Sequence, residues 1–258
     1  MARRPVLETR GFGGEAPIPT VPGLADRLGE LAGIEADLLT LRLLDSVLVQ
    51  VDAGLTMVSG GGRFYRVRWL EAIGGVDDGL LRAEPDPRPS ALEMDARALT
   101  SRVRAAWVTA PAPPDLGIVD RYFRDPGEFG TALRDVYRVL LRRMRDAGVV
   151  GHILLVSSPN EEVMEDLASP MTFLYCPDPP VGALEPLLEH QRPLALVGRR
   201  VSELSGLMDQ FGRRPVYLID PTEEEVRLAL EVLDPDHVRI GGLCPGDCDT
   251  YWQRLAAL

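Results

Sequence analysis

Short apolar runs alternate along the chain with longer stretches whose apolar residues recur every three or four positions. Runs at Val6–Arg10, Leu55–Val58, Val103–Thr109, Ile153–Val156, Pro170–Tyr175, Leu194–Val197, Val216–Ile219 and His237–Leu243 predict eight strands. Between them the spacing turns helical. Leu41, Leu44, Leu48 and Val51 share one face of a long first helix. Leu133, Val136, Tyr137, Leu140, Leu141 and Met144 mark another, which stops at Gly148. Val201, Leu204, Met208 and Phe211 form a third stripe, ended by Gly212, and Thr222-Glu223-Glu224-Glu225 opens a further helix as a capping box. The chain closes on a short helix near Tyr251–Leu258. Residues 74–100 break this rhythm with glycines, prolines and an Asp77-Asp78-Gly79 turn, and predict a hairpin excursion. The expectation is one α/β domain over 1–258. It is a (β/α)8 TIM barrel with a hairpin insertion before the third strand, favoured over an open doubly wound sheet.

Composition narrows the partners more than it changes the fold. The chain has 258 residues, the size of one such barrel, and a mean hydropathy of -0.01. No apolar run approaches the ~20 residues of a membrane span. Met-Ala-Arg-Arg-Pro lacks the apolar stretch of a secretory signal, so a cytoplasmic location is expected, with no membrane contact. A net charge of -11 without basic clusters argues against nucleic-acid binding. All 28 basic residues are arginine, and the missing lysine excludes Schiff-base chemistry and a Walker-A phosphate loop.

Candidate chemistry gathers where strands should end, the mouth of such a barrel. Cys176 follows the fifth strand and Cys244 the eighth, with Cys248 four residues further on. Three sulfurs could hold zinc if Asp178 or Asp247 completed four donors. The other readings are small buried residues, or an oxidised Cys244–Cys248 pair of a kind that cytoplasmic proteins rarely keep. Gly60, Gly61 and Gly62 at a strand end could turn their amides into an anion nest, beside Arg63, Arg66, Arg199 and Arg200. The plain reading of the same triplet is a turn among solvated arginines. Ser157, Ser158 and Asn160 stand at the end of the fourth strand as candidate catalytic and binding groups. His152, His190 and His237 precede strands, at the opposite end, so no serine–histidine triad is expected.

Gln50-Val51-Asp52-Ala53-Gly54-Leu55, running into Gly60–Gly62, resembles the Gln-x-x-x-Gly-Leu-Asp…Asp-Gly-Glu segment of cobalamin-independent methionine synthase catalytic barrels. Further echoes follow in order. Gly13-Gly14-Glu15-Ala16-Pro17 falls at a Gly-Ser-x-Pro loop, and Val156-Ser157-Ser158-Pro159 at Ile-Asp-Glu-Pro. Tyr175-Cys176 falls at His-x-Cys and Leu243-Cys244 at Pro-Asp-Cys-Gly. The resemblance implies a barrel of that type. It also implies zinc held by a histidine, a glutamate and two cysteines, which activates a thiol for methylation. Cys176 and Cys244 match those cysteines, but the histidine falls at Leu174 and the glutamate at Gly198. The acids that would hold an amino-acid substrate fall at Gly60–Gly62 and at Ser157-Ser158.

The expected function is a diverged methyl or alkyl transferase acting on a small thiol or other nucleophile, with zinc as the candidate cofactor. Exchanging acids for amides and guanidinium groups points to an anionic small-molecule substrate. Two alternatives stand beside it. One is an inactive barrel serving as a small-molecule binding or accessory subunit; the other is a metal-free lyase or isomerase acting on an anionic metabolite. A partner protein or a homo-oligomer is compatible with either.

Overall fold

The computed structural model describes residues 6–30, 36–179, 184–246 and 248–258. Eight strands form two four-stranded parallel sheets. One runs in the order β1 (Glu8–Gly14), β11 (Val238–Cys244), β10 (Val216–Ile219), β9 (Leu194–Val197). The other runs β2 (Ser59–Gly61), β5 (Trp107–Pro111), β7 (Gly151–Leu155), β8 (Thr172–Tyr175). Three short strands, β3 (Val76–Asp77), β4 (Leu80–Leu81) and β6 (Val119–Asp120), form a small sheet to one side. The helices are α1 (Val21–Glu30), α2 (Leu38–Asp52), α3 (Arg66–Glu71), α4 (Ser90–Arg102) and α5 (Pro126–Asp146). They continue with α6 (Glu161–Leu167), α7 (Leu184–His190), α8 (Leu204–Phe211), α9 (Glu223–Val232) and α10 (Cys248–Ala256).

The sheets share an interior because strand side chains alternate in direction. Phe12, Trp107, Ile153, Phe173, Tyr175, Ala195, Tyr217 and Ile219 pack together inside. Their neighbours Val108, Leu154, Leu174, Leu196, Leu218 and Ile240 face the helices. Phe12 sits at the centre, edge-on to Phe173, Tyr175 and Tyr217 at 5.5, 4.9 and 5.4 Å between centroids.

Each seam between the sheets carries a buried or half-buried glutamine. β1 meets the segment before β2 through the Arg10–Met57 bridge. There the Gln50 amide donates to Ser59 O at 2.8 Å and accepts from Ser59 N–H at 3.0 Å. A Cβ on Gly11 would lie 1.9 Å from Gln50 Oε1, so a side chain at that position would push the glutamine out of these bonds. Between β8 and β9 the described residues form no ladder. Instead Gln191 accepts from Leu174 N–H at 2.9 Å and donates to Leu174 O at 3.0 Å. The architecture is therefore parallel α/β and barrel-like, with the two sheets meeting along these two seams.

Other expectations are corrected here. The first strand begins at Glu8, and the second contains Ser59-Gly60-Gly61 rather than Leu55–Val58. The excursion is a hairpin only over residues 76–81, and α4 fills 90–102. Its apolar stripe of Leu92, Ala96 and Leu99 is sparse because it shares the buried face with Asp95. Arg68 from α3 joins Asp95 and the N-cap of α2. It donates to Asp95 at 2.7 Å and to Asp37 at 2.5 and 2.6 Å, while Asp95 also accepts from Thr40 at 2.6 Å and Tyr65 at 2.7 Å.

Candidate functional site

The strand C-termini open into a cavity of about 480 Å³, lined by Arg63, Arg66, Asp115, Ser157, Cys176 and Asp178 on its polar side. Leu155, Val156, Pro111, Pro177 and Leu243 form the apolar side. Backbone geometry delivers each polar group. Gly62, just past β2, has φ 150°, a conformation open to glycine, and the 3-10 turn Arg63–Tyr65 that follows places Arg63 at the rim. Asp115 lies in the Pro113–Leu116 turn after β5 and accepts from Ser157 N–H, with its oxygens at 3.1 and 3.3 Å. That bond ties the loops after β5 and β7 together.

The charges are unequally engaged. Arg66 donates from Nε to Leu116 O at 2.7 Å, and Asp178 pairs with Arg199 at 2.5 Å and Arg200 at 3.7 Å. The Arg63 guanidinium has no ion pair or hydrogen bond among the described residues, so it is the group best placed to meet an incoming anion. Burial raises the Cys176 thiol above its ordinary pKa, opposed by a hydrogen bond from the Asp178 backbone and reinforced by the charge of Asp115, so the thiol stays protonated at neutral pH. Burial, then the charge of Asp220, likewise raises the Tyr175 phenol, opposed by Arg63.

Of the residues singled out from the sequence, Arg63, Arg66, Ser157, Cys176 and Asp178 come together at this cavity. Ser158 is exposed and does not line it. Asn160 caps α6, accepting from Val163 N–H at 2.9 Å. Arg199 is spent on Asp178. Gly60, Gly61 and Gly62 do not form an anion nest. They are buried where strands crowd: a Cβ on Gly60 would lie 2.6 Å from Val47 Cγ2, and one on Gly62 would lie 2.8 Å from Gly14 O. The Gly61 N–H is already bonded to Ser46 Oγ at 3.0 Å.

The three-sulfur set is not assembled either. Cys244 and Cys248 are joined in a disulfide, and Cys176 stands apart as a buried free thiol. Among the described residues no three histidine, cysteine or acidic side chains are placed to hold a metal; Asp247 lies outside them. The positions implied for a zinc histidine and glutamate cannot serve. Leu174 is a hydrocarbon packed toward the helices, and a Cβ at Gly198 would lie 2.4 Å from Glu225 Oε2 and 2.7 Å from Pro221 Cα. The residues present do not fit a tetrahedral zinc site.

Asp115 and Leu243 complete the cavity without having been singled out as its lining. The Ala-Pro-Pro-Asp run just past a strand was the available signal for Asp115.

Parallel strands with helical connections and a cavity at the strand C-termini define the class: an α/β barrel-type protein with its site at the mouth. Solved structures of that class resemble it over nearly the whole chain. A B12-independent methionine synthase from Shewanella sp. W3-18-1, in complex with selenomethionine, superposes with a TM-score of 0.67 at 13% identity, covering 98% of this chain and 96% of that one. A methyltransferase from Methanosarcina mazei gives 0.60 at 11%, covering 99% and 93%. A putative vitamin-B12 independent methionine synthase from Listeria monocytogenes gives 0.55 at 15%, covering 95% and 94%. At such identities the likeness establishes the fold. No family profile and no curated protein matches the chain. No helix among the described residues is long and apolar enough to cross a membrane.

Proposed function

We propose that the mouth cavity binds a small organic acid and that the protein is a diverged methyl- or alkyl-transferring barrel working without a thiolate-bound metal. The observation that carries this reading is the unpaired Arg63 guanidinium at the rim of a cavity whose other wall is apolar. A carboxylate would take the two parallel hydrogen bonds that a guanidinium offers, and Arg66 adds a second positive charge. The alkyl part of the ligand would rest against Leu155, Val156 and Leu243. In the transfer step the methyl or alkyl carbon leaves its donor atom, which keeps the bonding pair, and bonds to the acceptor's nucleophilic atom. The protein's part is to hold acceptor and donor in line and to keep water out. Likeness to methionine synthase and methyltransferase structures supports this chemistry by analogy of fold.

A second reading, binding without catalysis, is favoured by one feature. Among the described residues no unengaged base faces the cavity, since Asp115 accepts from Ser157 N–H, Asp178 is ion-paired and the thiol of Cys176 is protonated. Calorimetric titration with a panel of small thiol, thioether and amino carboxylates separates the outcomes. Binding that weakens at least tenfold in Arg63→Ala supports the cavity assignment, and no binding by any acid overturns it. Incubating the bound acid with methyl donors, followed by mass analysis for a gain of one methyl group, then decides between transferase and binding protein.

A further inference from the structure

The Cys244–Cys248 disulfide is built into the strand C-termini, beside an opening that shares no lining residue with the Arg63 cavity. Cys244 is the last residue of β11 and is 1% exposed. Cys248 is the first residue of α10 and half-buried, and it borders a separate cavity of about 270 Å³. Gly14, at the end of β1, makes room for the pair. A Cβ there would lie 3.0 Å from Cys244 Cβ and 3.3 Å from Cys248 Sγ. One sulfur is therefore shut inside the strand layer while the other faces an opening wide enough for a small molecule. The same opening is bordered by the acidic residues Glu15, Asp45 and Asp249.

We propose that this pair is a thiol–disulfide exchange site, attacked at Cys248, that selects cationic or neutral low-molecular-weight thiols over acidic ones. An incoming thiolate bonds to Cys248 Sγ, the Cys244–Cys248 bond breaks, and its electron pair leaves on Cys244 Sγ, which takes up a proton. A second thiol attacks the mixed disulfide, releasing the small-molecule disulfide and leaving both cysteines reduced. Two thiols are oxidised and one protein disulfide is reduced, so the step balances. Attack follows access, because a nucleophile must reach the sulfur it displaces, and Cys248 borders the opening while Cys244 is 1% exposed. Acidic neighbours concentrate cationic thiols and repel carboxylate-bearing ones.

The full-length protein, purified without reductant, is treated with cysteamine, 2-mercaptoethanol or 3-mercaptopropionate at matched thiolate concentrations. The reaction is quenched with acid, free thiols are alkylated, and the peptides are mapped by mass. The expected result is a mixed disulfide on Cys248 with Cys244 recovered alkylated. The expected rates fall from cysteamine to 2-mercaptoethanol to 3-mercaptopropionate, with the spread shrinking at least threefold in Asp249→Asn. In Cys244→Ser treated with cystamine, the adduct on Cys248 should persist. Adducts at Cys244 or equally at both residues, rates indifferent to thiol charge, or a bond that opens only in denaturant would each overturn the proposal. So would three free thiols in the purified protein that cystamine fails to close. Each readout is independent of whether the Arg63 cavity binds an acid.

Discussion

Two regions of this molecule each bury an arginine, and they solve the problem in opposite ways. Between the helices, Arg68 is 3% exposed and lies among three carboxylates: Asp95, Asp37 and Glu71 at 2.7, 2.5 and 2.8 Å. Inside the barrel, Arg10 is 4% exposed with no carboxylate, and its carbon lies 4.1 Å from the Trp107 ring centre, with Phe12, Tyr217 and Phe173 at 5.5, 5.2 and 5.6 Å. Among the described residues the only hydrogen bond of its guanidinium runs to Tyr217 Oη at 3.1 Å, and Nε and Nη2 have no partner there. The effects on proton affinity diverge accordingly. Burial lowers Arg68, but Asp37 and Asp95 outweigh it and raise the pKa overall. For Arg10 burial prevails and the pKa falls. A buried cation is secure where acids surround it; among aromatic rings it receives only the weaker attraction of their π faces.

The largest effect is expected from breaking the acid-paired side. Arg68→Met leaves Asp95, which is 0% exposed, without its cation, and should lose about 3–5 kcal/mol in denaturant unfolding. Adding Asp95→Asn should recover part of that loss, because the stranded charge is removed. A stability change below about 1 kcal/mol in the single variant would show that the network is not a unit.

His152 extends the comparison to a group buried without any charge. Both ring nitrogens lack partners, and burial, helped by Arg145, lowers its pKa to about 3. The unfolded chain takes up this proton near pH 6.5 and the folded protein only near 3, so stability is full above pH 6.5 and falls as the pH drops through that window. The slope should reach up to about 1.4 kcal/mol per pH unit. Between pH 6.5 and 5, above most carboxylate titrations, His152→Leu should flatten the curve; an unchanged slope would mean that the ring is protonated in the fold.

Arg10→Met should be neutral or raise the melting temperature by a few degrees, since it removes a poorly partnered charge and keeps much of the volume. A loss above about 2 kcal/mol would show that the aromatic cage is worth as much as three acids. The smallest change in stability belongs to Arg63→Ala, within about 0.5 kcal/mol, because this exposed residue has no partner to abandon. Its effect should appear in acid binding alone.

Legibility in the sequence followed the same division. The stripe of α5, the capping box of α9 and strands β9 and β10 were plain, because their apolar spacing is what packing requires. Helix α4 was hidden because a buried acid sits on its apolar face, and an isolated Asp95 reads as surface until Arg68, Tyr65 and Thr40 are seen around it. At the mouth, Ser157 and Cys176 were visible as polar and thiol groups past strand ends. Asp115 needed the loops in place before it could be recognised as lining.

By itself the sequence determined the alternation of strands and helices, the end of the strands where chemistry would gather, and the absence of lysine. These depend on local periodicity and composition. Tertiary structure alone decided that Gly60–Gly62 are packing residues, that Asn160 is a cap, and that Arg199 is paired while Arg63 is not. It also decided that two cysteines bind each other rather than a metal. Those outcomes turn on which groups from distant segments come within about 3 Å, and no local pattern encodes that distance.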